Sequence, residues 1–352
     1  MMKSGFFYLL AATILALLAI FLFIPGQQDN QNAAVDSLLL PGLAAKVNDV
    51  ERVEIISAGN TVVATLLKND DRWQVEQMDG YHADWPKLRA LLAALAQAKV
   101  IEVKTDKPQY YERLGVEDVV SAQATGVLVR LTSGADSTGV LVGKRAQGSA
   151  GQFVRVEGSA ASALLDRTLD VATEQLDWAD KRIVDIKGSE VAEVEIIHPQ
   201  AGRVLVTKIS ADQTDFDLVG LPADREIQST WAVNSLGSAL SLLDLETVRP
   251  DSNIDWAAAV RMRVLTFSGL EIMAEMVETD GKNLLRLTAS YPAAQVVDYV
   301  DDDMALKADD DVAARVTQIN QRVSGWAYGI ARYKFETMVK TQEDILKPVD
   351  AS

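Results

Sequence analysis

The sequence predicts an α+β protein made of an N-terminal transmembrane helix, two tandem related modules and a C-terminal helical segment. Three observations carry that prediction. Residues 50–56 read VERVEII and residues 191–197 read VAEVEII. Behind each heptad the same order of strand-like and helix-like segments recurs. Ahead of both lies an uninterrupted apolar run at residues 6–24, FFYLLAATILALLAIFLFI.

At ~1.5 Å per residue that run spans roughly 28 Å, the thickness of a hydrocarbon core. It exceeds the apolar stretch of a cleaved signal peptide and ends in Ile24-Pro25-Gly26, with no small residue at the minus-three position, so an uncleaved anchor is expected. Lys3 precedes the run and GQQDNQNAAVD comes after it without a Lys or Arg, which places the N-terminus in the cytoplasm of a bacterial inner membrane and the bulk in the periplasm or outside. Within the run, Ala12, Ala16 and Ala19 fall on one helical face. Residues 26–45 read as a linker, Gln- and Asn-rich at first, with LLLPGL (38–43) opening the folded region.

The first module is assigned to residues 46–187. VERVEIIS, TVVATLLK (61–68) and RWQVEQ (72–77) read as strands separated by SAGN and NDD turns. Asp84 is a suitable N-cap, Trp85 and Pro86 suit a first turn, and Leu88, Leu91, Leu92 and Leu95 form one apolar helix face. VIEVKT (100–105), GVLVRLTS (126–133), TGVLVG (138–143) and QFVRVEG (152–158) read as further strands.

The second module is assigned to residues 188–300 and keeps the order: RVLVTKI (203–209), DFDLVG (215–220), then a helix capped by Ser229 or Thr230 with Val233, Leu236, Leu240 and Leu243 on its apolar face. DLETVRP, VRMRVLTF (260–267), LEIMAEMVE (270–278) and NLLRLTAS (283–290) come next as strands. Each module is expected to bury its own core as a mostly antiparallel sheet with a helix on one face. In the tail, 301–352, the stripe Val312, Val316, Ile319 and Val323 predicts a helix docked on the second module.

Composition excludes several functions. There is no Cys, so disulfides, thiolate metal sites and a thiol nucleophile are absent, and a formal charge of −16 disfavours nucleic acid as a partner. No Walker-type loop, G-x-S-x-G or H-E-x-x-H motif occurs. His82 and His198, the two histidines, read as solvated loop residues. Asp301–Asp303 and Asp309–Asp311 lack the alternation and Gly of a calcium loop, and read as capping and solvated charge. GVLVGKRAQGSAG (139–151) reads as a hairpin loop, and Trp85 and Trp231, at equivalent points of the repeat, as core residues. No catalytic, cofactor-binding or metal residue is assigned.

Taken in order, LLPGL with VNDVERVEI, the Trp73 strand with YHADWPKLRALLAAL, YERLGV (111–116), LDWADKRIVDI (176–186) and WAYGIARYKFETMVKTQEDILKP resemble a bacterial family, the domain of unknown function 4340. That resemblance implies a membrane-anchored protein encoded beside ABC-type transport components like the gliding-motility auxiliary proteins. The expected function is therefore a non-enzymatic extracytoplasmic accessory subunit whose partners are ABC-type membrane subunits. The alternatives are an anchored binder of polysaccharide or peptidoglycan, marked by exposed aromatic rows, and a carboxylate-using envelope hydrolase, marked by a cleft with two acids.

Overall fold

The computed structural model describes residues 35–148, 150–291 and 309–348; the anchor expected at 6–24 and Asp301–Asp303 lie outside the described residues. Two compact units are distinguished: one holds the chain to Val63 and Arg89–Val171, the other Ala64–Leu88 and Ala172 onward. Among the described residues no helix is long and apolar enough to cross a membrane.

Among the described residues the strands form two nine-stranded sheets. The first contains β1 (Arg52–Ser57), β2 (Thr61–Asn69), β3 (Arg72–Val75), β4 (Tyr81–His82), β5 (Val100–Val103), β6 (Val127–Ser133), β7 (Asp136–Arg145), β8 (Gln152–Val156) and β9 (Ser162–Leu165), in the order β4-β3-β2-β1-β6-β7-β8-β9-β5. The second contains β10 (Arg182–Val184), β11 (Val191–His198), β12 (Gly202–Thr207), β13 (Asp217–Leu218), β14 (Leu243–Pro250), β15 (Val260–Thr266), β16 (Glu271–Thr279), β17 (Lys282–Ser290) and β18 (Trp326–Ile330), in the order β10-β14-β18-β17-β16-β15-β11-β12-β13. The helices are α1 (Leu43–Lys46), α2 (Trp85–Gln97), α3 (Tyr111–Leu114), α4 (Thr230–Gly237), α5 (Asp309–Val323) and α6 (Arg332–Met338).

The two sheet orders are one topology written twice. From β3 the first runs β3-β2-β1-β6-β7-β8-β9-β5, and from β13 the second runs β13-β12-β11-β15-β16-β17-β18-β14. Chain order matches at every step, with α2 before β5 and α4 before β14. The recurring heptads are the equivalent strands β1 and β11. Alternation explains why they repeat: Val53 and Ile55, like Val194 and Ile196, are fully buried, and the residues between them face away. On that other face Glu54 sits opposite Arg130, and Glu195 opposite Arg263. Both pairs close as ion pairs, at 3.5 and 3.1 Å.

Tight turns set the registers. Asp280-Gly281 joins β16 to β17 with φ of 53° and 67°, the left-handed pair of a two-residue hairpin. Gly139 has a different role. A Cβ there would stand 2.1 Å from Glu157 Oε2, so the missing side chain lets Arg130 reach across β7 to Glu157, at 2.6 Å.

The structure corrects the expected tail. Residues 301–352 are not a purely helical appendage, because WAYGI forms β18, paired antiparallel with β14 and β17. It occupies the place that β9 holds in the first sheet, and α5 belongs to the longer β17–β18 connection. The stripe on α5 is docked as expected: Val312, Ile319 and Val323 are buried, and the helix packs on β17 and β10. Asn320 from α5 accepts a hydrogen bond from Ala289 N and donates one to Ala289 O, each 2.8 Å, as a strand neighbour would.

The second helix also ends early. α4 stops at Gly237, which lies so close to the Phe216 ring that a Cβ would stand 2.1 Å from it. Leu240 and Leu243 are buried as the spacing predicts, but Leu240 lies past the helix and Leu243 begins β14. At the N-terminal end LLLPGL opens the folded region as expected, and pairing begins just ahead of it, inside the expected linker: Asp36 N donates to Val100 O, Val100 N to Ser37 O and Leu39 N to Ala98 O.

Candidate functional site

The second unit carries a surface groove between α4 and α6. Ser229 caps α4, its hydroxyl accepting from Ala232 N at 3.1 Å. The cap fixes the phase of the helix. Ala232, Val233 and Leu236 turn inward, and Trp231, about 200° from Val233 at 100° per residue, turns outward. Asn234, Ser235 and Ser238 continue the Trp231 side at i+3, i+4 and i+7. α6 supplies Tyr333, Lys334 and Thr337, and the groove, open on one side, has a volume of about 210 Å³. Trp231 and Tyr333 are 74% and 67% exposed, against the expectation of a core tryptophan. Trp85, in the first turn of α2 as Trp231 is in that of α4, is also exposed, and stacks on buried Trp73 with centroids 6.4 Å apart.

Two lysines shape the groove. Lys334 Nζ donates to the carbonyls of Ala239 and Ser241 at 3.1 and 2.7 Å, satisfying backbone just past the end of α4. Burial pushes its pKa below the usual lysine value. Lys340 Nζ lies 5.4 Å from the Trp231 ring centroid and donates to Ser235 Oγ at 3.3 Å. Asn234 is held on both sides, accepting from Phe216 N at 2.9 Å and donating to Asp215 Oδ1 at 2.6 Å.

His82 is not the solvated loop residue its sequence context suggests. It lies on β4 with its ring tilted against Tyr81, centroids 5.1 Å apart, and edge-on to Trp326 at 6.5 Å. Its Nε2 is buried without a hydrogen-bond partner, and burial pulls its pKa below 6.5. Around it, Tyr81 OH donates to Asp180 O at 3.2 Å, Tyr328 OH to Arg322 O at 3.3 Å, and Arg322 pairs with Asp180 at 3.1 Å. Desolvation raises both tyrosine pKa values, so these hydroxyls are neutral hydrogen-bond donors at any physiological pH. The cluster joins β4, β18 and the end of α5, residues too far apart in the chain for spacing to reveal it.

His198 ends β11, with Nε2 3.1 Å from Lys340 O. Asp311 is exposed in the first turn of α5. The 139–151 stretch continues β7 to Arg145 and then turns. Four carboxyls are held below their ordinary values by their hydrogen-bond partners: Asp166 by Arg167, Asp177 by Lys181, Glu226 by Lys347 and Asp344 by Thr341. A glycosidase acid needs the opposite shift. Among the described residues no group of three or more acids or histidines is placed to hold a metal ion.

Fold and groove together define a duplicated α+β protein with an aromatic-rimmed surface groove in its second unit. The chain belongs to the domain of unknown function family DUF4340, whose model matches residues 73–258. Searches of curated proteins and of solved structures find no match.

Proposed function

We propose that this protein is a non-enzymatic, membrane-anchored extracytoplasmic accessory subunit of an envelope ABC-type transport system. One observation carries the non-enzymatic part. The polar residues that recur in both copies, Glu54 with Glu195, Arg130 with Arg263 and Arg155 with Arg286, all engage partners inside their own module. Groups committed in both copies to contacts within their own module maintain a scaffold, which leaves exposed surface to act. The apolar run at 6–24 supplies the bilayer attachment, and the resemblance to DUF4340 supplies the transporter.

Epistasis tests the reading. If ABC components are encoded beside it, deleting this chain should give the same cellular defect as deleting their permease, and deleting both should be no worse. An unrelated or additive defect contradicts it.

A further inference from the structure

The geometry points to a saccharide-binding site, for an acidic glycan, in the groove between α4 and α6. Two large aromatic side chains stand open on its rim, Trp231 at 74% and Tyr333 at 67% exposure. Trp231 is held in place, with the Lys340 ammonium 5.4 Å from its ring centroid and tied to Ser235 Oγ. That contact, worth about 0.5–1 kcal/mol at an exposed site, favours one orientation of the indole and leaves most of its surface open as a platform. The weakly polarised C–H face of a sugar ring stacks on the negative face of such a ring, as cations do. The volume, about 210 Å³, falls below the ~300–1,000 Å³ typical of engulfing pockets and suits one ring seated on a ledge.

The polar groups select the rest of the ligand. Ser235 Oγ donates to Ala232 O at 2.8 Å and accepts from Lys340 Nζ at 3.3 Å, and Thr337 Oγ1 donates to Tyr333 O at 2.9 Å, so each hydroxyl keeps acceptor capacity for an incoming sugar hydroxyl. A purely apolar partner would desolvate these groups without replacing their water. The lining side chains include an ammonium and no carboxylate, although the chain carries a net charge of −16. Lys334 is committed to backbone carbonyls, so the cation offered to a ligand carboxylate is Lys340, which flanks the groove with its ammonium 5.4 Å from the Trp231 ring centroid and 3.3 Å from Ser235 Oγ.

The site is independent of the accessory role, and its test involves no transporter. Full-length protein in a sugar-free detergent is titrated calorimetrically with oligogalacturonate, oligomannuronate and a muramic-acid disaccharide, with maltohexaose as the neutral comparison. At least one acidic probe should bind ten-fold or more tightly than maltohexaose. Trp231→Ala and Tyr333→Ala should each weaken it ten-fold or more with an unchanged melting temperature, and Lys340→Gln should remove the preference for the acidic probe. No binding by any probe, equal binding of maltohexaose, or binding that both aromatic variants leave intact would overturn the assignment, the last by placing the site elsewhere. Saturation-transfer NMR on the same samples reads ligand contact directly if either aromatic variant is unstable.

Discussion

Arg286 stands on β17 where Arg155 stands on β8, and each guanidinium lies over an aromatic ring from the segment ahead of an equivalent earlier strand, Tyr111 before β6 and Trp256 before β15. The distances are 4.5 Å from Arg155 to Tyr111 and 4.7 Å from Arg286 to Trp256. Each also pairs with acids, Arg155 with Asp118 at 2.6 Å and Arg286 with Glu275 at 2.7 Å. The copies differ in burial. Arg155 is 4% exposed and also donates to the carbonyls of Val116 and Ser159, whereas the Arg286 side chain is about a third exposed. Arg155→Ala should therefore cost about 2–4 kcal/mol, since it strands buried acceptors, and Arg286→Ala about 1–2 kcal/mol. Urea denaturation of the two variants checks the order. Equal losses would mean the equivalence is only geometric.

His82 gives the fold a pH dependence whose sign is fixed by burial. Its folded pKa lies below its ordinary 6.5, so the unfolded chain binds the proton more readily. Its contribution is fully present above 6.5 and is lost as pH falls from there toward the folded value. His82→Phe keeps a ring against Tyr81 and Trp326 and removes the titration. The stability decline below neutrality should flatten in this variant, while stability at pH 8 stays within ~1 kcal/mol of the parent. Thermal melts between pH 8 and 5 measure it; an unchanged slope would assign the decline to other groups.

Asn320 fastens α5 to β17 through both backbone groups of Ala289. Asn320→Leu removes both bonds and should cost about 2 kcal/mol, at roughly 1 kcal/mol for each bond. Asn320→Asp keeps the acceptor and loses the donor, so it should fall between. Hydrogen exchange at Ala289 reports the loss locally, and full protection of that amide in Asn320→Leu would contradict it.

The duplication was legible because it is written in core alternation. Val53 and Ile55, and Val194 and Ile196, must face inward in any antiparallel sheet, so the heptad recurs wherever the strand does. β18 was not legible, because WAYGI is short and carries a glycine that a central strand normally avoids. The reason appears only in three dimensions: a Cβ on Gly329 would stand 2.2 Å from Thr247 Oγ1 on β14. Trp231 was misread for a related reason. Trp85 opens α2 whereas Trp231 is the second residue of α4, so the two stand one residue out of step, and in both helices the apolar stripe starts elsewhere, at Leu88 and Val233, and leaves the indole outside. The groove joins side chains from α4 and α6, and neither helix alone signals the other. What could have marked it is Trp231 standing off its helix stripe.

Affinity isolation of the full-length chain in a mild detergent, with the co-isolated proteins identified by mass spectrometry, tests the central claim most directly. The accessory-subunit account predicts an ABC-type permease and its nucleotide-binding subunit in amounts comparable to the bait, retained through washing and lost when residues 6–24 are removed. Recovery of the chain alone, together with glycan-hydrolysing activity in the purified material, would contradict it.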